Sequence, residues 1–206
     1  MAKVLENGYT GDKILLPDQI RRALSGDFEG FKYFFEECLL LQDRDTRQYV
    51  HPTMNKGQEM IAKTIMGYID HNTRAESHKE CVICGPRQFG KSTLLTAIAN
   101  YIISYVPGFE NLNLVTTMHQ AAAATKFFKQ KLEPIITNIP KEIFPTIERE
   151  TVGTSTLLKY TDIKGIKRGG YYEITSAGSN SVRSGTVSVW LCDEPSEYRN
   201  PEAVED

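Results

Sequence analysis

Gly85-Pro-Arg-Gln-Phe-Gly90-Lys91-Ser92 fits the spacing G-x-x-x-x-G-K-[ST], and the residues on either side of it decide the fold. Before it, Glu80 to Cys84 is a short apolar run that reads as a buried strand; after it, Ser92 to Val106 has the composition of a helix. Strand, glycine loop and helix in that order are the context a phosphate-binding loop requires. The glycines let backbone N–H groups turn inward around phosphate oxygens, and the helix points its positive end at them. Lys91 is then placed to reach the β and γ oxygens and the Ser92 hydroxyl to ligate Mg²⁺. The candidate cradle is Gly85, Pro86, Arg87, Gln88, Phe89, Gly90, Lys91, Ser92 and Thr93.

Strand and helix continue to alternate after the loop, which predicts an α/β fold with a parallel sheet covered by helices. Leu112 to Thr117 reads as a second strand and Ala121 to Ile136 as a second helix, after which Pro134, Pro140 and Pro145 break the pattern. Thr154 to Thr161 and Tyr171 to Ser176 read as a hairpin around Asp162–Gly170. The last strand, Val187 to Cys192, runs into Asp193-Glu194. An acid at the carboxyl end of an apolar strand is where a second Mg²⁺ ligand is needed, and that is Asp193. Glu194 beside it can polarise a water for in-line attack on a γ-phosphate.

Before the loop, residues 1 to 12 are polar and expected to fray, and Pro17 to Leu24 can form a short helix. Ser25-Gly26-Asp27 offers an N-cap to a helix bearing Phe28, Phe31, Phe34, Phe35, Cys38, Leu39 and Leu41 at helical spacing. A charged break at Gln42 to Arg47 leads to a helix over Lys56 to Asp70 and a polar linker at 71 to 79. The expected division is an N-terminal helical extension over residues 1–50 and a core over 51–206.

Composition narrows the function. Of 206 residues, 40% are hydrophobic and 24% charged, the profile of a globular chain with a sizeable core. Lys plus Arg number 24 against 26 Asp plus Glu, so bulk positive charge does not drive nucleic-acid binding and any such contact must be local. Lys159, Lys164, Lys167 and Arg168 around the hairpin could supply it through phosphate contacts, although a solvated hairpin tip reads equally well. No apolar window spans a bilayer and the amino terminus has no apolar leader core, so a membrane partner is not expected. Cys81 and Cys84 form a CxxC, but on a strand residues three apart face opposite ways, which favours structural cysteines. His51, His71, His78 and His119 show no metal-ligand spacing.

Taken together, these motifs resemble the ATPase half of the large terminase subunit, the DNA-packaging motor of tailed bacteriophages. The resemblance extends over roughly residues 27 to 206. It is carried by the aromatic helix Phe28–Leu41, the Gln58 segment, Arg87 within the loop, Gln120-Ala121, Ser181-Val-Arg183-Ser-Gly185 and Asp193-Glu194. It implies an ASCE/RecA-like P-loop NTPase fold in which ATP and Mg²⁺ are bound by Gly85–Thr93, Ser92 and Asp193, and Glu194 activates water. Gln58, thirty-three residues before Lys91, matches a glutamine that reads the adenine edge, and is otherwise unremarkable on a helix face. Arg183 matches an arginine finger acting in trans across a ring, against a plain surface arginine in a turn. Arg87 could contact phosphate or remain solvated.

The resemblance further implies double-stranded DNA, the capsid portal, the small terminase subunit and a homo-oligomeric ring, a pentamer, as partners in the host cytoplasm. Two rivals use the same motifs: the first lobe of a superfamily 2 helicase, and an assembly module that binds nucleotide without turning it over. In this ATPase division a central strand follows the Asp-Glu strand. Pro195 to Asp206 is too polar and too Pro-broken to supply it, so the expectation is an amino-terminal part of a longer protein, with the family's endonuclease domain following.

Overall fold

The computed structural model describes residues 3–43, 45–70, 83, 89–153, 155–163, 165–176 and 187–192. Its main sheet is built from β1 (Lys3–Val4), β4 (Asn113–Met118), β5 (Thr146–Val152), β6 (Ser155–Ile163), β7 (Ile166–Lys167), β8 (Tyr171–Ser176) and β9 (Val189–Cys192). Their order is β1-β5-β6-β8-β4-β9, with β7 folded back on β6. The sheet is mixed rather than parallel. β4 lies parallel to both β8 and β9, whereas β6 runs antiparallel to β5 and β8. The predicted pairing of β6 with β8 is present, but in place of the expected inserted hairpin both strands are integral members of the sheet, with β8 hydrogen-bonded to β4.

β5 is the longest of the strands that the sequence reading leaves out, the others being two residues each. Thr146-Ile-Glu-Arg-Glu-Thr-Val152 follows Pro145 and carries three consecutive charges, with Ile147 buried and Glu148, Arg149 and Glu150 half-buried. Nor do the described residues from Lys3 to Asn7 fray. β1 pairs with β5, Leu5 N donates to Ile147 O at 2.8 Å, and Asn7 Nδ2 donates to Ile139 O at 3.0 Å.

The helices account for most of the core. α1 (Pro17–Ala23) opens on a proline at its first position, where the missing N–H costs nothing. α2 (Phe28–Tyr33) is capped by Asp27, whose Oδ1 accepts from Gly30 N at 2.7 Å, and it widens into a π-helical turn at Phe34–Cys38. That turn brings Phe34, Phe35 and Cys38 all into the core. A two-stranded ribbon of β2 (Leu41–Gln42) and β3 (Tyr49–Val50) leads to α3 (Lys56–Asp70).

α4 (Lys91–Tyr105) is the central helix. From Leu94 onward only Leu95 is half-buried, and every residue from Thr96 to Tyr105 is out of solvent. A helix buried on all sides belongs inside a fold, between a sheet and further helices. The rings of Tyr101 and Tyr105 pack against Phe31 and Phe34 with centroids 5.4 to 5.5 Å apart. Tyr160 Oη on β6 donates to Asn100 Oδ1 at 2.6 Å, which ties α4 to the sheet. α5 (Ala121–Phe127), a second π-helical turn (Phe128–Leu132) and α6 (Glu133–Thr137) replace the single predicted helix.

Candidate nucleotide site

The described part of the predicted phosphate loop runs into α4 at Gly90, whose backbone is left-handed (φ 75°, ψ 20°). An L side chain adopts that conformation only at a cost, and a Cβ here would lie 2.9 Å from Gln58 Nε2. Gly85 to Gln88 lie outside the described residues, as do Cys81 and Cys84; of the predicted strand before the loop, only Ile83 is described.

The first turn of α3 grips the end of the loop. Asn55 Oδ1 accepts from Gln58 N at 3.0 Å, and Gln58 Oε1 accepts in return from Asn55 N at 2.9 Å, a reciprocal cap of the helix. The other end of the same carboxamide, Gln58 Nε2, donates to Phe89 O at 2.8 Å. A Cβ on Gly57 would come within 2.8 Å of Phe89 Cζ, so the ring of Phe89 sits where only a glycine leaves room. Gln58 is thus brought to the loop, with both ends of its side chain engaged by protein backbone.

Lys91, Ser92 and Thr93 form the half-buried first turn of α4. Thr96 Oγ1 donates to Ser92 O at 2.6 Å, and Lys131 Nζ, from the second π-helical turn, donates to Thr93 Oγ1 at 3.2 Å. The Asn55 cap could have been read from its three-residue spacing to Gln58. The approach of Lys131 had no local signal, since it joins residues 38 apart in the chain.

Asp193, Glu194 and Arg183 lie outside the described residues. The strand that precedes the acids, β9, is described: Cys192 is level with Thr117 of β4, and Met118 of β4 is level with Ser176 of β8. The three parallel strands therefore end at one edge, the edge at which ligands bind in open α/β sheets. Among the described residues no three His, Cys, Asp or Glu side chains gather as a metal cage. A Mg²⁺ held by nucleotide oxygens, one hydroxyl, one carboxylate and waters does not require such a cage, so Ser92 suits that donor set.

The expected basic patch is only partly there. Arg168 is turned inward, 8% exposed, with Nη1 donating to Val106 O at 3.3 Å and lying 3.9 Å from Glu110 Oε1. Lys159 pairs with Glu150 at 2.8 Å, and that bond holds the Glu150 carboxyl below its usual range. Lys167 is exposed, and Lys164 lies outside the described residues. The Cys38 thiol is buried in the core and pushed up to about 12 by desolvation, which leaves it unreactive. No helix among the described residues is long and apolar enough to cross a membrane.

A family model described as the phage terminase large subunit gpA, ATPase domain, matches residues 62–206. The matched span begins within α3 and takes in Gly85–Thr93, β9 and Asp193-Glu194. No curated protein gives a match.

Proposed function

Because the chain belongs to the phage terminase large subunit gpA ATPase family, we propose that it is the ATP-hydrolysing subunit of a motor that drives double-stranded DNA into a procapsid. The family match over residues 62–206 is the observation that carries this reading, and the left-handed Gly90 at the head of a buried helix supports it. On this reading the core is RecA-like. The backbone N–H groups of Gly85 to Gly90 cradle the ATP phosphates, and Lys91 draws electron density from the β and γ oxygens.

Ser92 and Asp193 would hold Mg²⁺, which neutralises charge developing on the transferred phosphoryl group. Glu194 accepts the proton of the attacking water at its carboxylate, and Arg183 stabilises the transition-state charge from a neighbouring subunit. Gln58 keeps the end of the loop at Phe89 in register with α3. The motor would be a pentameric ring on the portal, loaded through the small terminase subunit in the host cytoplasm, with residues 51–206 as its catalytic core.

Glu194→Gln tests the assignment, because it keeps the shape of the side chain and removes the base. ATP binding is expected to persist while hydrolysis falls by roughly 10²-fold or more. Loss of ATP binding, or turnover at the wild-type rate, would refute the role given to Glu194.

A further inference from the structure

We propose that Lys131 is a second cation of the nucleotide site, contacting the phosphates of a bound nucleoside polyphosphate; this rests on the nucleotide reading above. Lys131 Nζ lies 3.2 Å from Thr93 Oγ1 in the first turn of α4, two residues beyond Lys91. That is an electrostatically uphill place for an ammonium group, since a helix favours cations at its carboxyl end and anions at its amino end. Among the described residues the Thr93 hydroxyl is its single polar partner, and no carboxylate approaches within ion-pair distance. The neighbouring acid in the chain, Glu133, is directed to Arg149 Nη1 at 3.7 Å. A bound polyphosphate would resolve the conflict by placing negative charge between Lys131 and the helix end.

The element that carries Lys131 is firmly held. Phe128 and Leu132 on either side are buried, and the Arg149 guanidinium stacks over the Phe128 ring at 4.1 Å. The segment is a π-helical turn, a form found often at functional sites because it re-aims side chains relative to an α-helix. The Lys131 side chain itself stays exposed and free to follow a ligand.

The test is equilibrium binding of ATP and of ADP to the wild-type chain and to Lys131→Ala, Lys131→Gln and Lys131→Arg. Glutamine keeps a donor for Thr93 without the charge, and arginine keeps the charge. The expected pattern is a weakening of about tenfold for Ala and Gln, with Arg near wild type. Any other pattern overturns the proposal, including wild-type affinity in the Gln variant, which would make the bond a link between two helices. Lys91→Ala run in parallel separates the nucleotide site itself from the part played in it by Lys131. Unchanged ATP binding there would mean that the nucleotide reading itself has failed, whereas loss there with wild-type binding in Lys131→Ala would sink the Lys131 proposal alone.

Discussion

Gly90 and Arg168 show how much single positions settle. Gly90→Ala forces a side chain into left-handed backbone, at a cost of about 1–2 kcal/mol, and presses a Cβ on the Gln58 carboxamide that holds Phe89 O. A lower unfolding midpoint together with weaker ATP binding is expected, read by urea denaturation and by nucleotide titration. Unchanged values of both would mean that the loop does not need this conformation. At Arg168 the residue type alone misleads, because a guanidinium beside two lysines reads as a phosphate contact, whereas here it bonds Val106 O inside the fold. Arg168→Met removes a charge-assisted bond, leaving Val106 O with only its bond from Phe109 N at 3.4 Å, and should cost about 1–3 kcal/mol in stability without changing DNA affinity at fixed salt. Weakened DNA binding at unchanged stability would return Arg168 to the DNA face.

Among the elements, α2 depends on its cap. Burial alone would raise the Asp27 carboxyl, but hydrogen bonds from Ser25 Oγ and Gly30 N outweigh it and hold the group below its reference value of 3.8. A carboxyl depressed in the folded state contributes stability above its unfolded value and loses it as pH falls through the folded one. Asp27→Asn keeps a good cap without the titration. Between about pH 5 and about pH 3 the wild-type urea midpoint should therefore drop further than that of Asp27→Asn; parallel curves would refute a role for the cap in acid stability. The elements also show what was legible beforehand. α3 and α4 were readable to within a residue, because a long periodic segment and a glycine-loop start are local signals. β5 was not, since Glu148, Arg149 and Glu150 interrupt its apolar pattern; one partner, β1, is distant in sequence, and the other, β6, follows it directly but gives the charged segment no periodicity of its own. The two π-helical turns, each at a pair of adjacent phenylalanines, have no separate signature at helical spacing.

For the whole molecule, the sequence motifs led to the family, and the family match bears out that recognition. The strand arrangement was legible only in part. The β6–β8 pair was expected, whereas the insertion of β8 between β6 and β4, which makes the sheet mixed, depends on long-range pairing that periodicity does not encode. On the proposed function, ATP hydrolysis by this chain moves duplex DNA into a capsid. The direct measurement is DNA protected from nuclease inside procapsids, with the assembled motor carrying either the wild-type chain or Glu194→Gln, in the presence of ATP. Protected full-length duplex is expected with the wild type and none with Glu194→Gln. Equal protection with both, or separation of strands in place of packaging, would contradict the proposed function.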